Sequence, residues 1–158
     1  MAEATTTGAF LVSLKATMAA RLAAIQGLRG VKVGYVPPAA EEVPLGDFLY
    51  LVRGAITVDD ELATAKRSRS RDEAVVIPGA VQAYEVGDDG DAAFQAALDR
   101  AETILDELIE QLRDTPPEVG QQTRSAIVRR IRWTPSPSAK GGWVVRGEFD
   151  LHYSSRVP

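Results

Sequence analysis

The sequence predicts an α+β fold: a mostly antiparallel sheet with two main helices packed on one of its faces. Two stretches of helical periodicity enclose a group of short β-prone segments, and two long alternating segments close the chain. The resulting order, α-β-β-β-α-β-β, has no internal repeat and no composition break, so residues 1–158 read as a single domain.

The first helix is expected from about Phe10 to Gln26, where Leu11, Leu14, Met18, Leu22 and Ile25 recur at spacings of three and four. Gly27 and Gly30 end it, and residues 1–8 ahead of it read as flexible. Val31, Val33 and Tyr35 then alternate with Lys32 and Gly34, a strand that stops at Pro37-Pro38. After a loop over 39–46, Asp47 to Val58 forms a second β-prone segment with Gly54 as its bend. Residues 59–73 (DDELATAKRSRSRDE) show no apolar period and read as a mobile charged loop. Ala74 to Val86 is β-prone again, but Pro78-Gly79 interrupts it and assigns it to an edge or a bulge.

The clearest helix spans about Asp91 to Arg113. Ala97, Leu98, Ala101, Ile104, Leu105, Leu108 and Leu112 make its apolar face, and Asp91 is the expected N-cap. Thr115-Pro116-Pro117 stops it. In the penultimate strand, Arg124 to Trp133, the residues Ile127, Ile131 and Trp133 oppose Val128, Arg130 and Arg132. In the last, Trp143 to Tyr153, apolar Val145, Phe149, Leu151 and Tyr153 oppose Arg146, Glu148, Asp150 and His152. Residues 134–142 join them as a long, mobile hairpin tip.

Composition narrows the chemistry. Lys and Arg total 18 against 22 Asp and Glu, a net charge of −4, so the chain lacks the global basic field of a duplex DNA binder. With no cysteine, disulfides, thiolate zinc sites, iron–sulfur clusters and a Cys nucleophile are excluded. Glu3 leads the chain, and Lys15 and Arg21 break the apolar run behind it, so the N-terminus does not read as a secretory signal. No stretch approaches the ~20 apolar residues of a membrane helix, and a soluble protein is expected.

Specific chemistry finds little footing. The one histidine, His152, has no serine or second histidine spaced with it as a triad and reads as a solvent-facing strand residue. Asp88-Asp89-Gly90-Asp91 resembles the start of a calcium loop, but the terminal bidentate Glu is missing; a turn with an N-cap explains it. Asp106, Glu107 and Glu110 suit a solvated helix face or a contact with a basic neighbour better than paired catalytic acids. Neither GxxxxGK[ST] nor GxGxxG occurs. No enzyme activity, cofactor or metal is expected.

Charge clusters offer candidate contacts instead. Lys66, Arg67, Arg69 and Arg71 form one basic run, readable as a solvated loop, a docking element for an acidic protein surface, or a phosphate contact. Arg124, Arg129, Arg130 and Arg132 form a second, where Arg130 and Arg132 are expected to meet Glu148 and Asp150 across the strands. Lys140 lies at the hairpin tip.

The order of these pieces resembles the tail terminator proteins of long-tailed bacteriophages, of the minor-tail-protein-U-like type. The resemblance rests on the amphipathic helix running into GLRGVKVGYVPP and on the segment DEAVVIPGAVQAYEV. It extends through GDDGD opening the helix AAFQAALDRAETILDELIEQLRD to the closing hairpin IRWTPSPSAKGGWVVRGEFDLHYSS. It implies a structural virion protein, a homo-oligomer that is typically a hexameric ring, located at the head-proximal end of the tail and in the host cytoplasm during assembly. Its implied partners are the tail tube protein and a head–tail connector or neck protein, with DNA passing through the lumen without sequence-specific binding. The implied mechanism is capping: the ring matches the tube's exposed end and offers no equivalent surface for another tube subunit. A head–tail completion protein and a small nucleic-acid-binding module are the alternative readings.

Overall fold

A computed structural model of the chain describes residues 6–37, 46–62, 71–114 and 123–157. Two helices, α1 (Thr6–Ala23) and α2 (Gly90–Asp114), pack on one face of a six-stranded, mostly antiparallel sheet. The strands are β1 (Lys32–Gly34), β2 (Phe48–Tyr50), β3 (Thr57–Leu62), β4 (Arg71–Glu85), β5 (Thr123–Pro137) and β6 (Trp143–Val157). Their order is β1-β2-β4-β6-β5, and β3 pairs with β4 beyond the end of β2; only β1 and β2 run parallel.

Helix α1 buries Phe10, Leu14, Met18 and Leu22, one residue per turn of a single stripe. Its N-terminal end is fastened to β6, where the Phe10 and Tyr153 rings stack at 4.0 Å and the Tyr153 hydroxyl donates to Thr7 Oγ1 at 3.1 Å. The helix starts at Thr6, so part of the lead-in expected to be flexible is its first turn. Helix α2 buries Ala93, Ala97, Ala101, Ile104, Leu105, Leu108 and Leu112. Its cap is Asp89 rather than the expected Asp91: Asp89 Oδ1 accepts from the N–H groups of Asp91 and Ala92 at 3.0 and 3.2 Å.

Four sequence expectations about the sheet are corrected. First, the loop expected over 59–73 is strand at both ends, in β3 and at the start of β4, while 63–70 lie outside the described residues. An edge strand is held by backbone pairing and buries neither face fully, so β3 lacks the apolar alternation that would reveal it. Asp47 to Val58 correspondingly divides between β2 and β3.

Second, β4 runs unbroken through Pro78-Gly79 in the middle of the sheet. The Pro78 carbonyl accepts from the Arg53 N–H at 2.7 Å, so the missing Pro78 N–H points to that same side, away from β6. That side is the gap between β3, whose pairing ends at Val76, and β2, whose pairing begins at Ala80, and no ladder bond is lost.

Third, β5 carries two register irregularities against β6, one between Thr123 and Ser125 and one between Arg129 and Arg132. In the second, Arg130 adopts φ 55° and an extra residue enters the strand, which reverses the inside-outside parity. Ala126 and Val128 therefore pack inward before it and Trp133 after it, whereas Ile127 and Ile131, expected inside, are 43% and 44% exposed.

Fourth, residues 134–137 belong to β5, which shortens the hairpin tip to 138–142. Ser138 and Gly142, and Gly141 and Ser138, are joined by backbone hydrogen bonds of 3.0 Å, and the Tyr84 hydroxyl donates to the Gly141 carbonyl at 2.9 Å. Gly142 has φ +82°, and a Cβ there would collide with the Glu85 carbonyl, so glycine is required at this turn.

Candidate interaction surface

Pairing alternation assigns each sheet residue to a face. Val75, Ile77 and Val81 of β4 and Phe149, Leu151 and Tyr153 of β6 face the helices. Ala74, Val76, Pro78, Ala80 and Gln82, with Arg146, Glu148, Asp150, His152 and Ser154, occupy the other face, which no described helix covers. At one end of that face the Phe48 and Tyr50 rings stack at 5.4 Å over Ala80. Burial raises the Tyr50 phenol above its ordinary pKa, against the opposing pull of Arg146.

Ion pairs organise the middle of the open face. Arg53 donates from Nε to the Gly79 carbonyl at 3.0 Å and reaches Asp150 at 3.6 Å, and Arg146 lies 3.6 Å from Glu148. Arg129 stands opposite Asp150 and Arg132 opposite Glu148. Arg130 is taken up by the bulge, so Arg129 and Arg132 hold the register positions opposite the carboxylates, but the ion pairs of Asp150 and Glu148 go to Arg53 and Arg146 in place of the expected β5 arginines.

Toward the other end of the face lies a half-open cleft of about 190 Å³, lined by Asp59, Val76, Ile127, Arg129 and His152 among others. His152 is partly buried rather than fully solvent-facing, and its Nε2 is enclosed without a hydrogen-bond partner. The cleft's two serines, Ser125 and Ser154, bond to each other through their hydroxyls at 3.0 Å. No nucleophile–base hydrogen bond joins them to His152 in this arrangement. Among the described residues, no group of three or more His, Asp or Glu side chains could hold a metal ion, and no helix is long and apolar enough to cross a membrane.

The candidate contact residues that are described do not form one patch. Lys66, Arg67 and Arg69 lie outside the described residues. Arg71 begins β4, between Leu62 of β3 and Val157 of β6. Arg130 and Arg132 are exposed on β5, and Lys140 is exposed on the hairpin tip, where its N–H donates to Ser138 Oγ at 3.2 Å. Arg71 and the tip lie at opposite ends of β6, roughly 45 Å apart along a strand rising ~3.3 Å per residue.

Helix carboxylates meet the basic neighbour that the sequence allowed for. Arg21 of α1 donates to Glu107 at 2.6 Å, Glu110 at 3.0 Å and Gln111 Oε1 at 3.1 Å, clamping the two helices together. Arg100 of α2 reaches Asp47 at 2.6 Å, Glu85 at 2.7 Å and the Tyr84 carbonyl, fastening the helix to the sheet. The sequence does not single out Arg100: it is one of many charges on a polar helix face, and its partners are 53 and 15 residues away.

The edges complete the surface. β3 is paired only to β4 and β5 only to β6, so each has an outer side that no described strand occupies. Val58 on β3 and Ile127 and Ile131 on β5 are exposed apolar side chains on these edges. No protein-family model matches the chain, and no curated protein matches it.

Proposed function

We propose that this chain is the subunit of a ring that caps the tail tube of a long-tailed bacteriophage, ends tube polymerisation and presents the surface that joins the head. The segment order and the long closing hairpin support the reading, since β5 and β6 span 15 residues each around a short tip. The observation that carries it is the one-sided sheet: helices cover one face, while the other face and two outer edges have no described covering element. A ring subunit needs two different surfaces that match each other, plus a further surface for the tube end, and such a sheet offers all three.

On this reading the protein works as a hexameric structural component at the head-proximal end of the tail, between tube protein and connector. Arg129 and Arg132 stand opposite Asp150 and Glu148, so the β5 arginines border carboxylates, which favours a protein contact over a phosphate track.

The test is to add the purified protein to polymerising tail tube protein and measure tube lengths by negative-stain microscopy. Capping predicts short tubes with density at one end and no further growth. Unchanged lengths and bare tube ends would overturn the reading, and binding to the head connector without binding to the tube would move it to a head–tail completion protein.

A further inference from the structure

Two outer edges of the sheet, those of β3 and β5, carry opposite charge. β3 (TVDDEL) holds Asp59, Asp60 and Glu61 and no basic residue, whereas β5 (TRSAIVRRIRWTPSP) holds Arg124, Arg129, Arg130 and Arg132 and no acidic residue. Each edge also exposes an apolar side chain, Val58 on one and Ile127 on the other. A second β5 brought to β5 would set arginines against arginines, and a second β3 would set carboxylates against carboxylates. Both like-with-like pairings are disfavoured, and only the unlike pair is complementary.

Strand direction and length agree with that pairing. β3, β4, β6 and β5 lie side by side and alternate in direction at every step. A β3 from another copy laid against β5 in the same orientation is therefore antiparallel to it, and the alternation continues across the junction. The register chain Thr57–Val76–His152–Ile127 and its neighbour Asp59–Ala74–Ser154–Ser125 put β3 level with the first half of β5. Between its two irregularities that half offers one regular stretch, Ser125–Arg129, whose five residues face Thr57–Glu61 when Asp59 lies opposite Ile127, two residues from level.

We propose that copies of this chain join head to tail by pairing the acidic β3 edge of one with the Ser125–Arg129 stretch of the basic β5 edge of the next. The inference rests on the ring reading above and specifies its subunit contact. The edge-to-edge ladder supplies backbone hydrogen bonds, the positive charge of the β5 edge as a whole favours the acidic strand over a second β5, and a heterologous contact of this kind generates a ring when its rotation closes.

The chain has no cysteine, so paired cysteines report the contact directly. Asp59→Cys combined with Ser125→Cys tests the level register, and Asp59→Cys combined with Ile127→Cys tests the register two residues along on the same face. Within one copy these positions are separated by three strand spacings, about 14 Å, too far for a disulfide, which needs Cα atoms within ~7 Å. Mild oxidation of one double variant is expected to give a covalent ladder ending at a closed oligomer on non-reducing gels, with unchanged circular dichroism. Each single-cysteine variant should remain uncrosslinked above background.

Efficient dimers from Asp59→Cys alone, or from Ser125→Cys or Ile127→Cys alone, would show a like-with-like contact and overturn the proposal. A large species by light scattering that no double variant crosslinks would overturn this edge pairing while leaving the ring reading intact. A protein that remains monomeric to the highest attainable concentration and crosslinks in no variant would overturn the pairing, and the tube-capping assay then decides the ring reading by itself.

Discussion

Gly79 of β4 and Phe149 of β6 are cross-strand partners, and the Phe149 ring occupies the space that any side chain at 79 would need. A Cβ on Gly79 would lie 2.6 Å from two ring carbons and 3.0 Å from the Tyr50 carbonyl, whereas Phe149 is fully buried at the centre of the core. Gly79→Ala should destabilise the fold by about 1–3 kcal/mol through overpacking, since neither a ring wedged between helices and sheet nor a strand backbone can retreat easily. Urea unfolding checks this. Phe149→Leu in the Gly79→Ala background should recover part of the loss, while Phe149→Leu alone should be destabilising.

Arg100 ties α2 to the far end of the sheet. Its guanidinium serves Asp47, Glu85 and the Tyr84 carbonyl together, and Asp47 Oδ1 also accepts the Tyr84 N–H at 3.0 Å. Arg100→Met should cost about 2–3 kcal/mol, because partly buried carboxylates lose a charge-assisted partner. Arg100→Lys should restore less than half of it, as an ammonium lacks the planar fork that reaches all three acceptors. Thermal unfolding of the three proteins at one pH measures both effects.

Tyr50 gives the fold an alkaline limb. Burial favours the neutral phenol, so its folded pKa exceeds the unfolded value near 10.0. The resulting stability is fully present below the unfolded pKa and is lost as pH rises through the folded one. Unfolding free energy should fall more steeply above about pH 10 in the parent protein than in Tyr50→Phe, because the folded phenol keeps a proton that the unfolded one has released. Denaturant titrations of both proteins across that range measure the difference, and parallel slopes would contradict it.

The legible parts of this fold are those in which one face of an element is continuously buried. Helix α2 repeats Ala97, Ala101, Ile104, Leu105, Leu108 and Leu112 against the core, and β6 alternates Val145, Phe149, Leu151 and Tyr153 with polar residues, so period alone reveals both. β3 stays hidden because backbone pairing at an edge leaves no period in its side chains. Pro78 misleads because its suitability depends on a gap between two other strands, a relation that no local window contains. On β5 the bulge changes the inward parity between Val128 and Trp133, so an unbroken alternation drawn through Ile127, Ile131 and Trp133 places both isoleucines on the wrong side. The candidate surface is legible as charge, in the arginines of β5, but the opposite charge of the β3 and β5 edges emerges only once strand order is known.

Arg130 separates what the bulge needs from what its arginine does. At φ 55° it holds a left-handed conformation that costs a side-chain-bearing residue about 1–2 kcal/mol, while glycine adopts it freely. Arg130→Gly should therefore leave the monomer as stable or slightly more stable, although glycine within a strand ordinarily costs about 0.5–1 kcal/mol. Arg132→Gly, in regular pairing opposite Glu148, should show that ordinary cost, and unfolding curves of the two variants at low protein concentration should diverge in this sense. Both variants remove one positive charge from the same edge, so on the edge pairing proposed above both should weaken self-association by a similar factor in sedimentation, with the weakening shrinking as salt rises. A glycine at 130 that destabilises the monomer as much as one at 132 would mean the bulge is held by the arginine side chain itself and not by its backbone conformation.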